Sequence, residues 1–202
     1  MIPAYLVSGF LESGKTSFIN SLYTYQSSVD TRYPFTRILY IAFESGIQTI
    51  QLNAFSQTKI FSIRQFKHEK DRVIQELSDC LASFSAEEIW IENNGLLSTE
   101  SIMELFDDPQ LSPYLKIQKS IHLMNGQRYE SQFGKLGSNP LEQLVNADML
   151  VLNSCSPQQA KQIRKQCKVI NPSLSTFTAD QPKAIRSMLH RRLPNQSWRF
   201  LI

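Results

Sequence analysis

The feature that most constrains the fold of this chain is a glycine-bearing stretch near its amino terminus, which reads Gly9-Phe10-Leu11-Glu12-Ser13-Gly14-Lys15-Thr16. It matches the pattern G-x-x-x-x-G-K-[ST], follows an apolar strand predicted over Ala4–Ser8, and opens a helix predicted from Lys15. Glycines let such a loop curl until its N–H groups converge on phosphate oxygens, and the helix N-terminus adds partial positive charge. The sequence therefore predicts a phosphate-binding loop between the first strand and the first helix.

The residue types in this loop suit the binding of a nucleotide polyphosphate with Mg²⁺. Lys15 is expected to bridge the β- and γ-phosphates, the Thr16 hydroxyl to ligate Mg²⁺, and Ser17 to support it from the next position. Glu12 is unusual, because a carboxylate beside a polyphosphate repels it unless it points away or a metal lies between them. An outward-pointing Glu12 is the simpler expectation, and a turn that merely joins strand to helix is the alternative for the whole motif. The predicted nucleotide-binding residues of the loop are Gly9, Glu12, Ser13, Gly14, Lys15, Thr16 and Ser17.

Along the rest of the chain, short β-branched or aromatic runs alternate with longer segments of helical period, which is typical of a βα-repeating domain. Strands are predicted over Ala4–Ser8, Arg37–Phe43, Lys59–Ile63, Glu88–Glu92, Ser120–Met124, Met149–Asn153 and Ser175–Thr178. Helices are predicted over Lys15–Tyr25, Phe66–Phe84, Thr99–Phe106, Leu141–Asn146, Pro157–Gln166 and Pro182–Leu189, and loops over Gln26–Phe35 and Phe106–Lys116. Several strands are apolar throughout, as expected where helices cover both faces of a sheet. The predicted fold is a three-layer α/β P-loop NTPase domain with a largely parallel central sheet.

Length, charge and cysteine content narrow the class of protein. With 202 residues, one domain is expected: a nucleotide-binding domain over 1–179, with a C-terminal helix and tail over 180–202 packed on it. A net charge of +3 is too small to argue for nucleic acid or a membrane surface, and no apolar run approaches the ~18 residues of a membrane span. The three cysteines form no C-x-x-C or C-x-C pair. We therefore expect a soluble cytoplasmic protein with reduced thiols, no nucleic-acid partner and no membrane insertion.

The stretch Ile2–Thr16 resembles the start of the CobW family of P-loop GTPases (CobW/HypB/UreG), whose loops typically read Gly-Phe-Leu-Gly-[Ala/Ser]-Gly-Lys-Thr-Thr. Three further segments fall in family order, so the resemblance covers about residues 2–178. It implies a G domain that binds Mg²⁺ and GTP, with ATP left open. Because only about two dozen residues follow Ala179, the chain is expected to lack the second, C-terminal domain that many relatives carry.

Two of these segments supply acidic residues. Phe43-Glu44-Ser45-Gly46 is similar to the family's Asn-Glu-x-Gly, and the resemblance implies that Glu44 reaches the switch region near the nucleotide. Ile91-Glu92-Asn93-Asn94-Gly95-Leu96 resembles the family's Ile-Glu-Thr-[Thr/Ser]-Gly-Leu. At the carboxyl end of a buried strand, Glu92 would face the Mg²⁺ shell and the N–H of Gly95 could detect the γ-phosphate. A helix-capping or solvated glutamate is the alternative at position 92. The predicted catalytic residues are Lys15, Glu92 and Glu44, and the predicted Mg²⁺ ligands are Thr16 and Glu92.

The third segment, Leu141–Asn153, resembles the family's Glu-Gln-Leu-x-x-Ala-Asp-x-[Ile/Leu]-Val-Leu-Asn-Lys-x-Asp but departs at its end. Asn153 is kept and is predicted to bind the nucleotide, whereas Ser154-Cys155-Ser156 replaces the Lys-x-Asp that grips guanine. A site built around such a carboxylate acceptor discriminates strongly, so guanine preference is expected to weaken unless another residue substitutes.

The family's Cys-x-Cys-Cys metal motif is missing, because the interval between Gly46 and Glu92 holds only Cys80. Three scattered histidines, His68, His122 and His190, have no neighbour at ligand spacing and are read as solvated or core residues. No thiolate-rich metal site of the family's kind is therefore expected.

The resemblance implies a nucleotide-binding switch protein, a slow and partner-stimulated Mg²⁺-dependent GTPase linked to metal homeostasis. In the manner of a metallochaperone, it would serve a protein partner in the delivery or gating of a metal or metallocofactor, and a homodimer is left open. One alternative is a non-hydrolysing nucleotide-binding subunit with a regulatory or structural role, which the missing Lys-x-Asp favours. Another is a P-loop kinase, for which no arginine-bearing lid segment is evident.

Overall fold

The computed structural model describes residues 1–43, 49–130 and 138–190. Seven strands form one sheet in the order β3-β2-β4-β1-β5-β6-β7, and every neighbouring pair is parallel. The strands are β1 Ile2–Gly9, β2 Ile38–Ala42, β3 Gln57–Ile60, β4 Glu88–Glu92, β5 Leu115–Asn125, β6 Met149–Asn153 and β7 Ser175–Thr178. The helices are α1 Lys15–Val29, α2 Ile63–His68, α3 Lys70–Ser83, α4 Thr99–Phe106, α5 Ser138–Val145, α6 Pro157–Ile170 and α7 Pro182–Leu189.

Helices cover both faces of the sheet. On one face, the apolar sides of α3 and α4 pack on β1, β2 and β4, and α5 and α6 pack on β5 and β6. On the other face, α1 and α7 pack on the same central strands. Strand β2 is buried along its whole length and is continuously apolar or aromatic, as expected of an inner parallel strand. Strand β4 is also buried throughout, and its apolar and aromatic centre lies between Glu88 and Glu92. The predicted three-layer α/β fold with a parallel central sheet is confirmed.

Several predicted boundaries are wrong, and each has a local cause. The predicted strand Lys59–Ile63 ends at Ile60, because Ser62 caps a new helix through a reciprocal pair of hydrogen bonds with Gln65. The predicted helix Phe66–Phe84 is in fact two helices, α2 and α3, which meet at Glu69. The predicted loop Gln26–Phe35 begins inside α1, where Gln26 is buried.

Strand β5 is longer than the predicted Ser120–Met124 and begins at Leu115, inside the predicted loop Phe106–Lys116. Its first half contains a bulge opposite Ala4 and Tyr5, which interrupts the period-two pattern that would have revealed it. The additional length makes β5 the longest neighbour of β1. The carboxyl end of β5, which the prediction included, pairs with β1 as far as Gly9, the first residue of the phosphate loop, opposite Leu123.

A buried acid, Glu88, lies at the amino end of β4, far along the strand from the phosphate loop. Its Oε1 accepts hydrogen bonds from the Tyr33 hydroxyl and the Trp90 indole N–H, both at 2.6 Å. Burial raises the pKa of Glu88, while the two hydrogen bonds and the charge of Arg186 act in the opposite direction. The carboxyl therefore serves as a shared acceptor for two buried donors.

Replacing Glu88 with alanine is expected to lower the free energy of unfolding by about 2–4 kcal/mol, because two buried donors lose their acceptor.

Glu88→Gln retains an acceptor oxygen and removes the ionisable carboxyl. The folded-state pKa of Glu88 is raised, so its stabilising contribution is fully present at pH values below the unfolded-state pKa, about 4.3. This contribution is lost as the pH rises through the folded-state pKa. The stability of Glu88→Gln relative to wild type should therefore improve as the pH rises. Urea unfolding at several pH values, with exposed Glu87→Gln as control, measures this; a relative stability that falls with pH would contradict it.

Candidate nucleotide-binding site

The phosphate loop lies at the carboxyl edge of the sheet, between the end of β1 and the start of α1. Gly9 and Gly14 have positive φ angles of 140° and 87°, a region that glycine enters without strain. A Cβ on Gly9 would overlap the carbonyl oxygen of Leu123, so the close approach of β5 also requires glycine here. The predicted strand, loop and helix are thus found in sequence order, with Gly14 as the residue before α1.

Lys15, the first residue of α1, is folded over this loop. Its side chain is only 5% exposed, and its ammonium donates to the carbonyl oxygens of Gly9 at 3.3 Å and Phe10 at 3.2 Å. These are loop groups that precede it by five and six residues. The positive charge is therefore held within the loop at the place where the sequence pattern expects a polyphosphate.

Thr16 and Glu92 meet across α1 and β4. The Thr16 hydroxyl lies 3.0 Å from both carboxylate oxygens of Glu92, and the Tyr40 hydroxyl donates to Glu92 Oε2 at 2.6 Å. Glu92 is 7% exposed and is the last residue of β4, between the ends of β1 and β2 in the sheet. A hydroxyl and a carboxylate are oxygen donors of the kind that Mg²⁺ prefers, so this pair fits the ion that the family implies. Sequence reasoning did not identify Tyr40, because an aromatic residue inside an apolar strand is most simply read as core.

The chain after β4 is tied to the phosphate loop by backbone contact. Asn93 donates its N–H to Val7 O and its side-chain amide to Leu97 O, at 2.8 and 3.0 Å. A Cβ on Gly95 would lie 2.8 Å from the carbonyl oxygen of Gly9, so only glycine lets this segment pack so closely. The structure therefore brings Gly95 against the loop that holds Lys15.

Asn153, at the end of β6, meets the other side of the loop. Its amide donates to the carbonyl oxygen of Ser13, and a Cβ on Gly14 would approach this amide to 2.8 Å. Within the described ranges, Asn153 Oδ1 and Ser13 Oγ are buried without a hydrogen-bond partner. Buried polar atoms are normally paired, so two such atoms at one loop indicate a place for a polar ligand.

Ser154 and Ser156 occupy the positions of the family's Lys and Asp but have local structural roles, in a turn and a helix cap. Ser154 has a positive φ of 48° and turns the chain away from β6. The Ser156 hydroxyl accepts from the Gln159 N–H, while the Gln159 side chain accepts from the Ser156 N–H, which forms a capping box at the start of α6. Position 156 therefore begins a helix and supplies no carboxylate.

A small cavity of about 170 Å³ opens between α1, α7 and the ends of β5, β6 and β7. Its lining is mainly apolar, and it adjoins the phosphate loop through Gly14 and Ser17. Asn153 and Ala179 lie on its strand side, and Pro182 closes it from α7. An apolar slot beside a phosphate loop is suited to a flat ring whose attached phosphates lie on the loop.

Cysteine, histidine and acidic side chains are the candidate ligands for a metal site. The three cysteines Cys80, Cys155 and Cys167 are free, and burial raises the pKa of each thiol, to about 11 for Cys167. In the described parts of the chain, no three side chains of His, Cys, Asp or Glu come together in a way that could hold a metal ion.

Among the described residues, no helix is long and apolar enough to cross a membrane.

His122 lies beneath the site, on β5. Its Nδ1 is 3.1 Å from the Ser8 hydroxyl, and burial together with the charge of Lys15 lowers its pKa to about 4. It is therefore a neutral core residue at physiological pH, as read from the sequence. Glu44, the remaining predicted catalytic residue, lies outside the described residues, as do Ser45 and Gly46 of the same motif.

Comparison with known proteins identifies the family to which the chain belongs. The model of the CobW/HypB/UreG nucleotide-binding domain matches residues 64–178, more than half of the chain. Among solved structures, Zn(II)-bound YjiA GTPase from E. coli has a TM-score of 0.67 at 18% identity, over 88% of this chain and 57% of its own. The hydrogenase maturation factor HypB from Archaeoglobus fulgidus has a TM-score of 0.56 at 14% identity, over 94% of this chain and 91% of its own. No curated protein sequence matches the chain.

The fold and the site define a P-loop nucleotide-binding domain of the α/β class. The family match then identifies it further: the chain belongs to the CobW/HypB/UreG family, which confirms the resemblance drawn from its motifs. The structural likenesses, all below 25% identity, bear on the fold alone. The chain spans less than two thirds of the length of YjiA, the first of these structures.

Proposed function

We propose that this domain binds Mg²⁺–GTP and hydrolyses it slowly, using the bound and hydrolysed states as a conformational switch. The observation that carries the proposal is the contact of Thr16 with Glu92 beside the buried ammonium of Lys15. A phosphate loop, a hydroxyl and a carboxylate at the carboxyl edge of a parallel sheet are the parts that Mg²⁺-dependent phosphoryl chemistry requires.

The roles follow from position. Lys15 leaves the loop carbonyls and stabilises charge on the β- and γ-phosphates, while the N–H groups of the loop hold the phosphate oxygens. Thr16 and Glu92 would hold Mg²⁺ and its waters; when bound, the ion neutralises charge that develops on the phosphates. Ser17 supports this pair, Gly95 couples the γ-phosphate to the loop after β4, and Glu44 is proposed to reach the same region.

The cavity beside Gly14 is proposed to take the base, with Asn153 at its edge. Because Ser156 caps α6 and presents no carboxylate, GTP is expected to be favoured over ATP by less than in a site with the full motif. Magnesium and GTP are the proposed cofactors, with ATP as the competitor.

A role in metal or metallocofactor handling is the broader proposal. It is supported by family membership, by the printed description of YjiA as Zn(II)-bound and by that of HypB as a hydrogenase maturation factor. The switch would act on a partner protein that receives the metal, and a homodimer is compatible with it. The three free cysteines are consistent with the reducing cytoplasm as its location.

A second candidate function is a nucleotide-binding subunit that does not hydrolyse GTP. The use of Ser156 as a helix cap favours it, since base selection is weakened while the phosphate loop is retained. Phosphate release from GTP by the purified chain, with no acceptor present, separates these functions. Slow release that depends on Mg²⁺ supports the GTPase, whereas tight binding without release supports the subunit. Release only with an added acceptor would instead indicate a kinase.

Restoring the family motif with Ser154→Lys and Ser156→Asp is expected to raise selectivity for GTP over ATP at least about tenfold, because the new carboxylate accepts from the guanine edge. Aspartate is also a good helix cap, so α6 should still begin at the same residue. Ser98→Asp, at the cap of α4, is the matched control. Competition binding of GTP and ATP measures the ratio. An unchanged ratio would mean that the base is recognised elsewhere.

A further inference from the structure

An ion pair joins the phosphate loop to the turn after β5. Arg128 donates through Nη1 to Glu12 Oε2, across 116 residues of sequence. Glu12 is the residue that sequence reasoning singled out as unfavourable beside a polyphosphate. Its side chain is directed at a cation that no sequence motif identified.

Glu12 has a backbone conformation that disfavours any residue other than glycine. Its φ is +59°, a left-handed conformation that costs a non-glycine residue about 1 kcal/mol or more. The chain therefore retains a carboxylate at a position where glycine would be less strained and would not repel phosphate.

Stability of the fold does not account for this pair. The side chains of Arg128 and Glu12 are 51% and 60% exposed, and ion pairs of such exposure contribute little to folding. Its effect is expected instead on the position of the Glu12 carboxylate, which would repel the negative charges of a nucleoside triphosphate at the loop.

The turn that carries Arg128 is built to hold it in place. Residues Gly126–Arg128 form a 3-10 turn that Asn125 caps, with its Oδ1 accepting from the Gln127 N–H at 3.0 Å. A Cβ on Gly126 would overlap the side chain of Cys155, so the turn packs tightly on the segment after β6. Since β5 pairs with β1 as far as Gly9, the turn is anchored beside the phosphate loop.

We propose that Arg128 is an affinity-determining residue that acts through Glu12: by holding this carboxylate in the ion pair, it keeps the carboxylate from turning towards a polyphosphate bound at the loop. The proposal rests on the proposed nucleotide-binding function. It differs from direct phosphate recognition by Arg128, because its effect disappears when Glu12 is neutral.

A double-mutant cycle tests this proposal with two probes, GTPγS and inorganic tripolyphosphate, each titrated calorimetrically with Mg²⁺. Arg128→Gln is expected to weaken both ligands about tenfold, and Glu12→Gln to bind them as tightly as wild type or more tightly. In the Glu12→Gln background, Arg128→Gln should change affinity by less than about twofold. At about 0.5 M KCl the tenfold loss should shrink, because the pair is exposed. Arg72→Gln, which removes an arginine paired within its own helix, controls for net charge.

The outcomes distinguish a failure of the proposed role of Arg128 from a failure of the proposed nucleotide-binding function. An equal loss from Arg128→Gln in both backgrounds, or no loss in either, would overturn the role of the pair and leave nucleotide binding standing. Binding of tripolyphosphate without GTPγS would contradict the proposed function, while the cycle with tripolyphosphate would still decide the role of Arg128. A wild-type chain that binds neither probe would overturn both.

Discussion

Replacing Lys15 with alanine is expected to weaken Mg²⁺–GTP binding at least about 100-fold. Charge-assisted hydrogen bonds to a buried ammonium contribute about 1.5–3 kcal/mol, and about 1.4 kcal/mol corresponds to tenfold in affinity. The ammonium lies in the loop, held by the carbonyls of Gly9 and Phe10, so the charge is already close to where the phosphates would bind. Equilibrium titration with GTPγS measures the loss.

Lys70→Ala is the matched control for this prediction. Lys70 is also the first residue of a helix, α3, but it is exposed and has no part in the phosphate loop. Its replacement should leave binding within about twofold of wild type. If Lys15→Ala bound GTPγS as tightly as the control, the polyphosphate would have to lie away from this loop.

The second large effect is expected at Glu92. Glu92→Gln retains an oxygen that can accept from Tyr40 or Thr16 but removes the negative charge, and should lower kcat for GTP about 100-fold. Affinity for GTP measured without Mg²⁺ should be nearly unchanged, whereas the gain in affinity on adding Mg²⁺ should largely disappear. Steady-state phosphate release, with binding measured at several Mg²⁺ concentrations, separates these quantities.

Two variants control for the change at Glu92. Glu88→Gln removes a buried carboxyl from the other end of the same strand and should leave turnover unchanged. Tyr40→Phe removes one hydrogen bond to Glu92 and keeps its charge, so the loss should be less than about tenfold. A Glu92→Gln variant with wild-type kcat and Mg²⁺ dependence would show that Glu92 is only a structural acceptor for Thr16.

The sequence predicted the layers of the fold well because the inner strands carry runs of apolar residues, as buried parallel strands do. Strand β6 was predicted to the residue, since its apolar run begins after Asp148 and ends at a polar asparagine. Strand β5 was predicted too short, because Lys119 is polar in type yet fully buried within it. Propensity and period describe a residue's usual environment, and they fail where tertiary contacts bury an unusual one.

Some residues of the candidate site could be predicted from the sequence, and others could not. The phosphate loop could be located from its glycines, because their positive φ angles are a requirement of the backbone itself. The contacts of Tyr40 with Glu92 and of Arg128 with Glu12 join distant parts of the chain, and neither residue belongs to a motif. Their roles depend on strand order, since β2 flanks β4 and β5 flanks β1, and strand order could not be predicted from periodicity.

The most direct test of the central claim, that this loop binds a nucleoside triphosphate with Mg²⁺, is calorimetric titration of the purified chain with Mg²⁺–GTPγS. We expect binding of one nucleotide per chain with a dissociation constant of about 1 μM, a free energy of roughly −8 kcal/mol, and a weaker affinity without Mg²⁺. The same titration with ATPγS gives the base preference. Absence of binding by either nucleotide at concentrations up to about 1 mM would contradict the account and would leave the chain as an interaction subunit with a disused phosphate loop.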